Sequence, residues 1–104
     1  MKVELLYFDG CPSYERLLPR LRELVAEVDP SVEVELRRVE TIEEAERERF
    51  LGSPTVRVDG RDVDPGADQR GDFGMKCRLY NAADGSGPLP PDSWVTEALT
   101  QASG

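Results

Sequence analysis

The hydrophobic pattern changes period at one point near the start of the chain, and that change constrains the fold more than any other feature. Val3, Leu5 and Tyr7 alternate with Lys2, Glu4 and Leu6, and the run thickens to Leu5-Leu6-Tyr7-Phe8. Such a run predicts an interior strand covered on both faces. Beyond Phe8-Asp9-Gly10-Cys11-Pro12-Ser13-Tyr14, the residues Leu17, Leu18, Leu21, Leu24, Val25 and Val28 recur at helical spacing, with charged residues mostly elsewhere. This predicts an amphipathic helix of about four turns. Cys11 then lies on a strand-to-helix turn, over free backbone N–H groups and the positive end of a helix dipole. That setting lowers a thiol pKa and favours the thiolate, which attacks disulfides and binds soft metals. Taken alone, the turn is equally an ordinary βα connection with an incidental cysteine.

Pro19 interrupts the helical pattern and should kink it, at a usual cost of ~3 kcal/mol, so the bend should serve packing. Asp29-Pro30 ends the helix. Val32, Val34 and Leu36 alternate with Glu33, Glu35 and Arg37, which predicts a strand with one polar face. Thr41 and Glu44 form a capping-box pattern for a second helix. Its apolar stripe is thin (Ile42, Ala45, Phe50), Glu43 and Arg47 are spaced for an i,i+4 pair, and Gly52 is the expected stop. Ser53-Pro54-Thr55 leads into a strand to Val58, and Asp59-Gly60 is a hairpin signal returning the chain through Arg61 to Val63. Residues 64–75 read as an irregular loop, Lys76 to Tyr80 as a short strand-like run, and Asn81 to Pro91 as another loop with a possible tight turn at Asp84-Gly85. Asp92 or Ser93 caps a last helix through Trp94, Val95, Ala98 and Leu99, with Trp94 expected in the core.

The order β-α-β-α-β-β-α predicts an α/β domain with a mixed four-stranded sheet between helices, the first strand interior and the second at an edge. A chain of 104 residues should form one domain, 1–104, with a core of its own. The net charge of −8 argues against nucleic-acid or anionic-membrane partners. No segment is long enough to span a bilayer, and the expected signal-peptide pattern is missing at the N-terminus, so a cytoplasmic location is expected. There, two cysteines are kept reduced or used transiently. The chain has no histidine, which removes histidine acid–base catalysis and, with two thiols only, an ordinary four-ligand zinc site. No cofactor is expected.

Cys11 between the first strand and helix, Pro12 directly after it, Pro19 eight residues beyond the cysteine, and Ser53-Pro54-Thr55 before the third strand stand in one register. In that combination the chain resembles the thioredoxin-like superfamily from residue 2 to about 63, with the last helix as its completion. The resemblance implies that Cys11 is the attacking thiol, that Pro54 is a cis-proline facing it, and that Pro12, Ser13, Tyr14, Ser53, Pro54 and Thr55 border the bound partner. A cis X-Pro bond costs only ~0.5–1 kcal/mol over trans. A trans proline starting a strand is the plainer alternative. The chain also departs from the family. Tyr14 stands where a dithiol motif needs its second cysteine, so exchange within a Cys-x-x-Cys pair is excluded. Asp9-Gly10 replaces the usual aromatic, and an inward Asp9 carboxylate would oppose thiolate formation. Ser13 fits the role of helix N-cap better than a catalytic one.

Cys77 is the only other thiol. If Arg61 to Val63 is the returning strand, the 64–75 loop lies at the active end and Cys77 can meet Cys11 within the ~7 Å Cα separation of a disulfide. If Lys76 to Tyr80 is the fourth strand, Cys77 starts at the opposite end and is structural. The aspartates at 62, 64, 68, 72 and 84 lack calcium-loop spacing and read as a solvated acidic loop. The leading functional expectation is a thiol-dependent redox protein with Cys11 as nucleophile and Cys77 as its resolving thiol, acting on a protein or small-molecule thiol or disulfide. Soft-metal handling, with Cys11 and Cys77 holding copper(I) or mercury(II), is the second. Some small thioredoxin-like proteins of this appearance are labelled organomercury lyases, a reaction needing an acid for which Asp9 is the near candidate. A non-enzymatic adaptor is the third.

Overall fold

A computed structural model describes residues 1–82 and 85–103 of the protein. Strand β1 (Val3–Tyr7) leads into helix α1 (Ser13–Val28), followed by β2 (Val34–Arg38), α2 (Ile42–Arg47), β3 (Thr55–Val58) and β4 (Arg61–Asp62). A 3₁₀ turn at Ala67–Gln69, strands β5 (Tyr80–Ala82) and β6 (Gly85–Gly87), and helix α3 (Asp92–Ser103) complete the chain.

The four-stranded sheet has the order β2-β1-β3-β4. Because α1 carries the chain back over the sheet, β2 lies parallel to β1, from Val3 opposite Val34 to Tyr7 opposite Arg38. Strand β3 runs antiparallel to β1, and β4 antiparallel to β3. Asp59 and Gly60 take φ of +50° and +82°, the paired positive values of a two-residue hairpin turn. The interior place of β1 and the edge place of β2 agree with the hydrophobic pattern.

Both faces of β1 are covered, and for different reasons. Val3 and Leu5, with Val56 and Val58, pack under Leu17, Leu21, Leu24 and Val25 of α1 and Val95 and Leu99 of α3. On the other face Leu6 joins Val39, Ala45 and Phe50. Glu4 is also buried there, and its carboxylate takes a hydrogen bond from Arg37 at 3.0 Å. A buried charge is tolerated because it is paired.

Several local expectations are corrected. Strand β2 begins at Val34, not Val32, and Leu36 is 46% exposed, because it lies on an edge strand outside the residues packed against the α1–α3 core. Ile42 is 61% exposed, since α2 has only six residues and buries Ala45 alone. Its stop is Arg49, in the left-handed region at φ +56°, rather than Gly52. The Thr41 hydroxyl caps Glu44 N–H at 3.0 Å as expected, but the Glu44 carboxylate takes the N–H of Glu40 instead of Thr41. Arg47 approaches Glu44 rather than Glu43. Ser13 is the first residue of α1 and Pro12 the N-cap, so no side chain caps that helix. The helix continues through Pro19. Trp94 is half-buried against the core, edge-on to Tyr80.

Strands β5 and β6 form a separate antiparallel ribbon that the loop reading of 81–91 did not anticipate. The turn expected at Asp84-Gly85 lies, at Asp84, outside the described residues. Among the described residues no helix is long and apolar enough to cross a membrane.

Candidate functional site

The end of β1 and the start of α1 hold Cys11 in a tight turn, with its N–H bonded to the Phe8 carbonyl at 3.3 Å. Cys11 has no solvent exposure. The loop before β3 passes close by. The Ser53–Pro54 peptide bond is cis, and the Ser53 carbonyl oxygen lies 3.6 Å from Cys11 Sγ. The Ser13 hydroxyl is 3.7 Å from the same sulfur, placed to donate to it.

Cys11 is joined to Cys77 in a disulfide that closes 66 residues of chain, with Cα atoms 5.6 Å apart. Of the two arrangements left open by the sequence, this is the one in which Arg61–Asp62 forms the fourth strand and the following loop returns to the Cys11 end. Main-chain pairing holds the returning segment. Ser53 N–H donates to the Lys76 carbonyl and Arg78 N–H to the Ser53 carbonyl, each at 2.8 Å, so Ser53 and Cys77 form a parallel bridge. Gly52 lets the strands approach. It has φ +122°, and a Cβ there would meet the Lys76 carbonyl oxygen at 2.8 Å.

Exposure alternates along this segment. Lys76, Cys77 and Leu79 are exposed, whereas Arg78 and Tyr80 are buried. Arg78 therefore points away from the side on which Cys77 lies, as strand geometry requires. Its guanidinium donates to Asp62 at 2.7 and 3.1 Å, to Asp64 at 3.2 Å and to the Thr55 hydroxyl at 3.0 Å. It also stands over the Tyr80 ring, 4.4 Å from the centroid. The Tyr80 hydroxyl donates to the Pro54 carbonyl at 2.6 Å, and burial pushes its pKa above the ordinary tyrosine value. Thr55 donates in turn to the Gly52 carbonyl at 2.6 Å. Asp62 and Asp64 are thus not part of a solvated acidic loop; they neutralise a buried cation. Asp72 remains at the surface, with Arg70 and Lys76.

The other residues singled out from the sequence divide into an outer and an inner set. Pro12 is exposed, Ser13 and Tyr14 are half-buried, and the Tyr14 ring stacks on Tyr7 with centroids 4.1 Å apart. Ser53, Pro54 and Thr55 are buried beneath the protein's own 76–80 segment, with Thr55 turned inward to Arg78. Asp9 does not point at the sulfur. Its carboxylate pairs with Arg38 at 2.9 Å in solvent, which weakens its case as a nearby proton source. Sequence reasoning missed Arg78 as an organising residue, and the signal available for it was parity with Cys77 along one extended run. It also missed Tyr80, for which no local pattern exists, and gave Gly52 only the role of a helix stop.

Among the described residues no group of three or more metal-ligating side chains comes together. A groove of about 390 Å³ between the β3–β4 hairpin and α3 shares no residue with the disulfide. The chain matches no family model, no curated protein and no solved structure.

Proposed function

We propose that this is a thiol–disulfide redox protein on a thioredoxin-like fold, with Cys11 and Cys77 as its redox couple. The observation that carries the reading is the Cys11–Cys77 bond formed beside the cis Ser53–Pro54 peptide at the start of α1. The strand order β2-β1-β3-β4, with α1 and α3 on one face and α2 on the other, supports the fold assignment. We place the protein in the cytoplasm, where a disulfide in contact with solvent is exchanged by thiols rather than kept as a staple. Its partners on this reading are protein or small-molecule thiols and disulfides. Two electrons and two protons convert the bond to two thiols.

Equilibration in glutathione buffers of graded thiol-to-disulfide ratio, followed by thiol trapping, tests the reading. The expected result is a reversible two-electron transition of the folded protein. A disulfide that persists under excess glutathione until the protein is unfolded overturns it.

A further inference from the structure

We infer that Cys77, rather than Cys11, is the sulfur through which partners exchange, and that Cys11 is the buried leaving and resolving thiol. This rests on the redox reading above and reverses the roles expected from sequence position.

Displacement at a disulfide sulfur is an in-line reaction: the attacking thiolate approaches opposite the sulfur that leaves. Attack on Cys11 requires approach from the side away from Cys77. That side is protein interior, since Cys11 has no exposure and its sulfur lies against the Ser53 carbonyl and the Ser13 hydroxyl. Attack on Cys77 requires approach from the side away from Cys11. Cys77 is exposed, on the solvent side of a segment whose alternate residues, Arg78 and Tyr80, are turned inward. Access is one of the factors that selects the attacked sulfur, and leaving-group stability is another. Access selects Cys77. The thiolate released from Cys77 would be Cys11, which the uncapped helix N-terminus and the Ser13 hydroxyl 3.7 Å from the sulfur favour, while burial and the Ser53 carbonyl oxygen at 3.6 Å oppose it. Asp9, the nearest carboxylate in sequence, is held by Arg38.

The steps balance as follows. A partner thiolate bonds to Cys77 Sγ, the Cys11–Cys77 bond breaks, and its electron pair leaves on Cys11 Sγ. A second thiolate then attacks the partner sulfur of the mixed disulfide. The partner disulfide departs, Cys77 is left as a thiolate, and solvent protonates both protein thiolates. The protein gains two electrons and two partner thiols are oxidised. In the reverse direction the Cys77 thiolate attacks the partner disulfide and Cys11 resolves the mixed species.

The test uses the oxidised wild-type protein. It is exposed briefly to glutathione, free thiols are alkylated at once, and the peptides are mapped by mass spectrometry. Glutathione on Cys77 with the alkyl group on Cys11 is the expected result. Glutathione on Cys11 overturns the inference and leaves the redox reading standing. An intact disulfide with neither sulfur modified overturns the redox reading itself. As a second measurement, Cys11→Ser and Cys77→Ser are treated with glutathione disulfide. Cys11→Ser should form its mixed disulfide at least about tenfold faster, because its remaining thiol is the accessible one. Equal rates, or the opposite order, count against the assignment.

Discussion

Arg78 and Asp62 form an ion pair at 2.7 Å beneath the segment that carries Cys77, with the Arg78 side chain fully buried. The pair joins β4 to the returning chain, and through Thr55 it reaches the cis-proline loop. Removing one partner of a buried pair costs more than the pair contributes, because the other charge is left stranded. Arg78→Met should therefore lower stability by about 3 kcal/mol in urea titration. Adding Asp62→Asn to that variant should recover part of the loss. A single variant within about 0.5 kcal/mol of wild type would show that the network carries no structural weight.

The disulfide should matter thermodynamically as well as chemically. A closed loop of this length restricts the unfolded chain by about 4 kcal/mol in the chain-entropy account. Oxidised wild type should exceed both Cys11→Ser and Cys77→Ser by roughly that amount, and reduced wild type should fall to their level. Matching urea midpoints for oxidised and reduced protein would contradict this.

Gly52 and Gly60 both have positive φ, yet their surroundings differ. A Cβ at Gly60 meets nothing within 4 Å, whereas at Gly52 it meets backbone and Arg78. Gly60→Ala should cost about 1 kcal/mol, from backbone conformation alone. Gly52→Ala should cost about 3 kcal/mol, since strain and overlap add. It should also push Lys76 away from Ser53 and speed reduction of the disulfide, which thiol-trapping kinetics would reveal. Equal effects of the two substitutions would argue against a tight Gly52–Lys76 approach.

Tyr80 sets an alkaline limit. Its folded-state pKa is raised above the unfolded value of about 10 by burial. The native state thus keeps a proton that the unfolded state loses. Stability from this group is full below the unfolded pKa and is lost as pH rises through the folded one. Tyr80→Phe should lose about 1 kcal/mol at neutral pH with the bond to Pro54, yet show a flatter alkaline limb. Ultraviolet titration should find one of the three tyrosines ionising only with unfolding.

Much of the framework was legible because it depends on local rules. The period change between Val3–Tyr7 and Leu17–Val28 is a property of neighbouring residues, as is the positive-φ preference of Asp59-Gly60. The cis proline came from register with Cys11, not from local chemistry. Leu36 and Ile42 misled because periodicity says which side chains share a face, not whether another element covers it. At the edge of a small sheet Leu36 stays 46% exposed, and on a helix of six residues Ile42 stays 61% exposed.

Cys11 on a strand-to-helix turn, Tyr14 in place of a second nearby thiol, and Cys77 as the sole remaining partner were all determined by the sequence itself. Whether the two cysteines meet was decided only by tertiary structure. The outcome turns on a two-residue strand β4, on Gly52 allowing backbone to approach backbone, and on Arg78 drawing Asp62 and Asp64 beneath the returning segment. The hairpin that carries β4 has a local signal in Asp59-Gly60, but the other two are contacts between residues more than ten apart in the chain, whose energy no local pattern encodes. The same contacts left Cys11 buried and Cys77 open, because a segment pairing with Ser53 must turn alternate side chains outward.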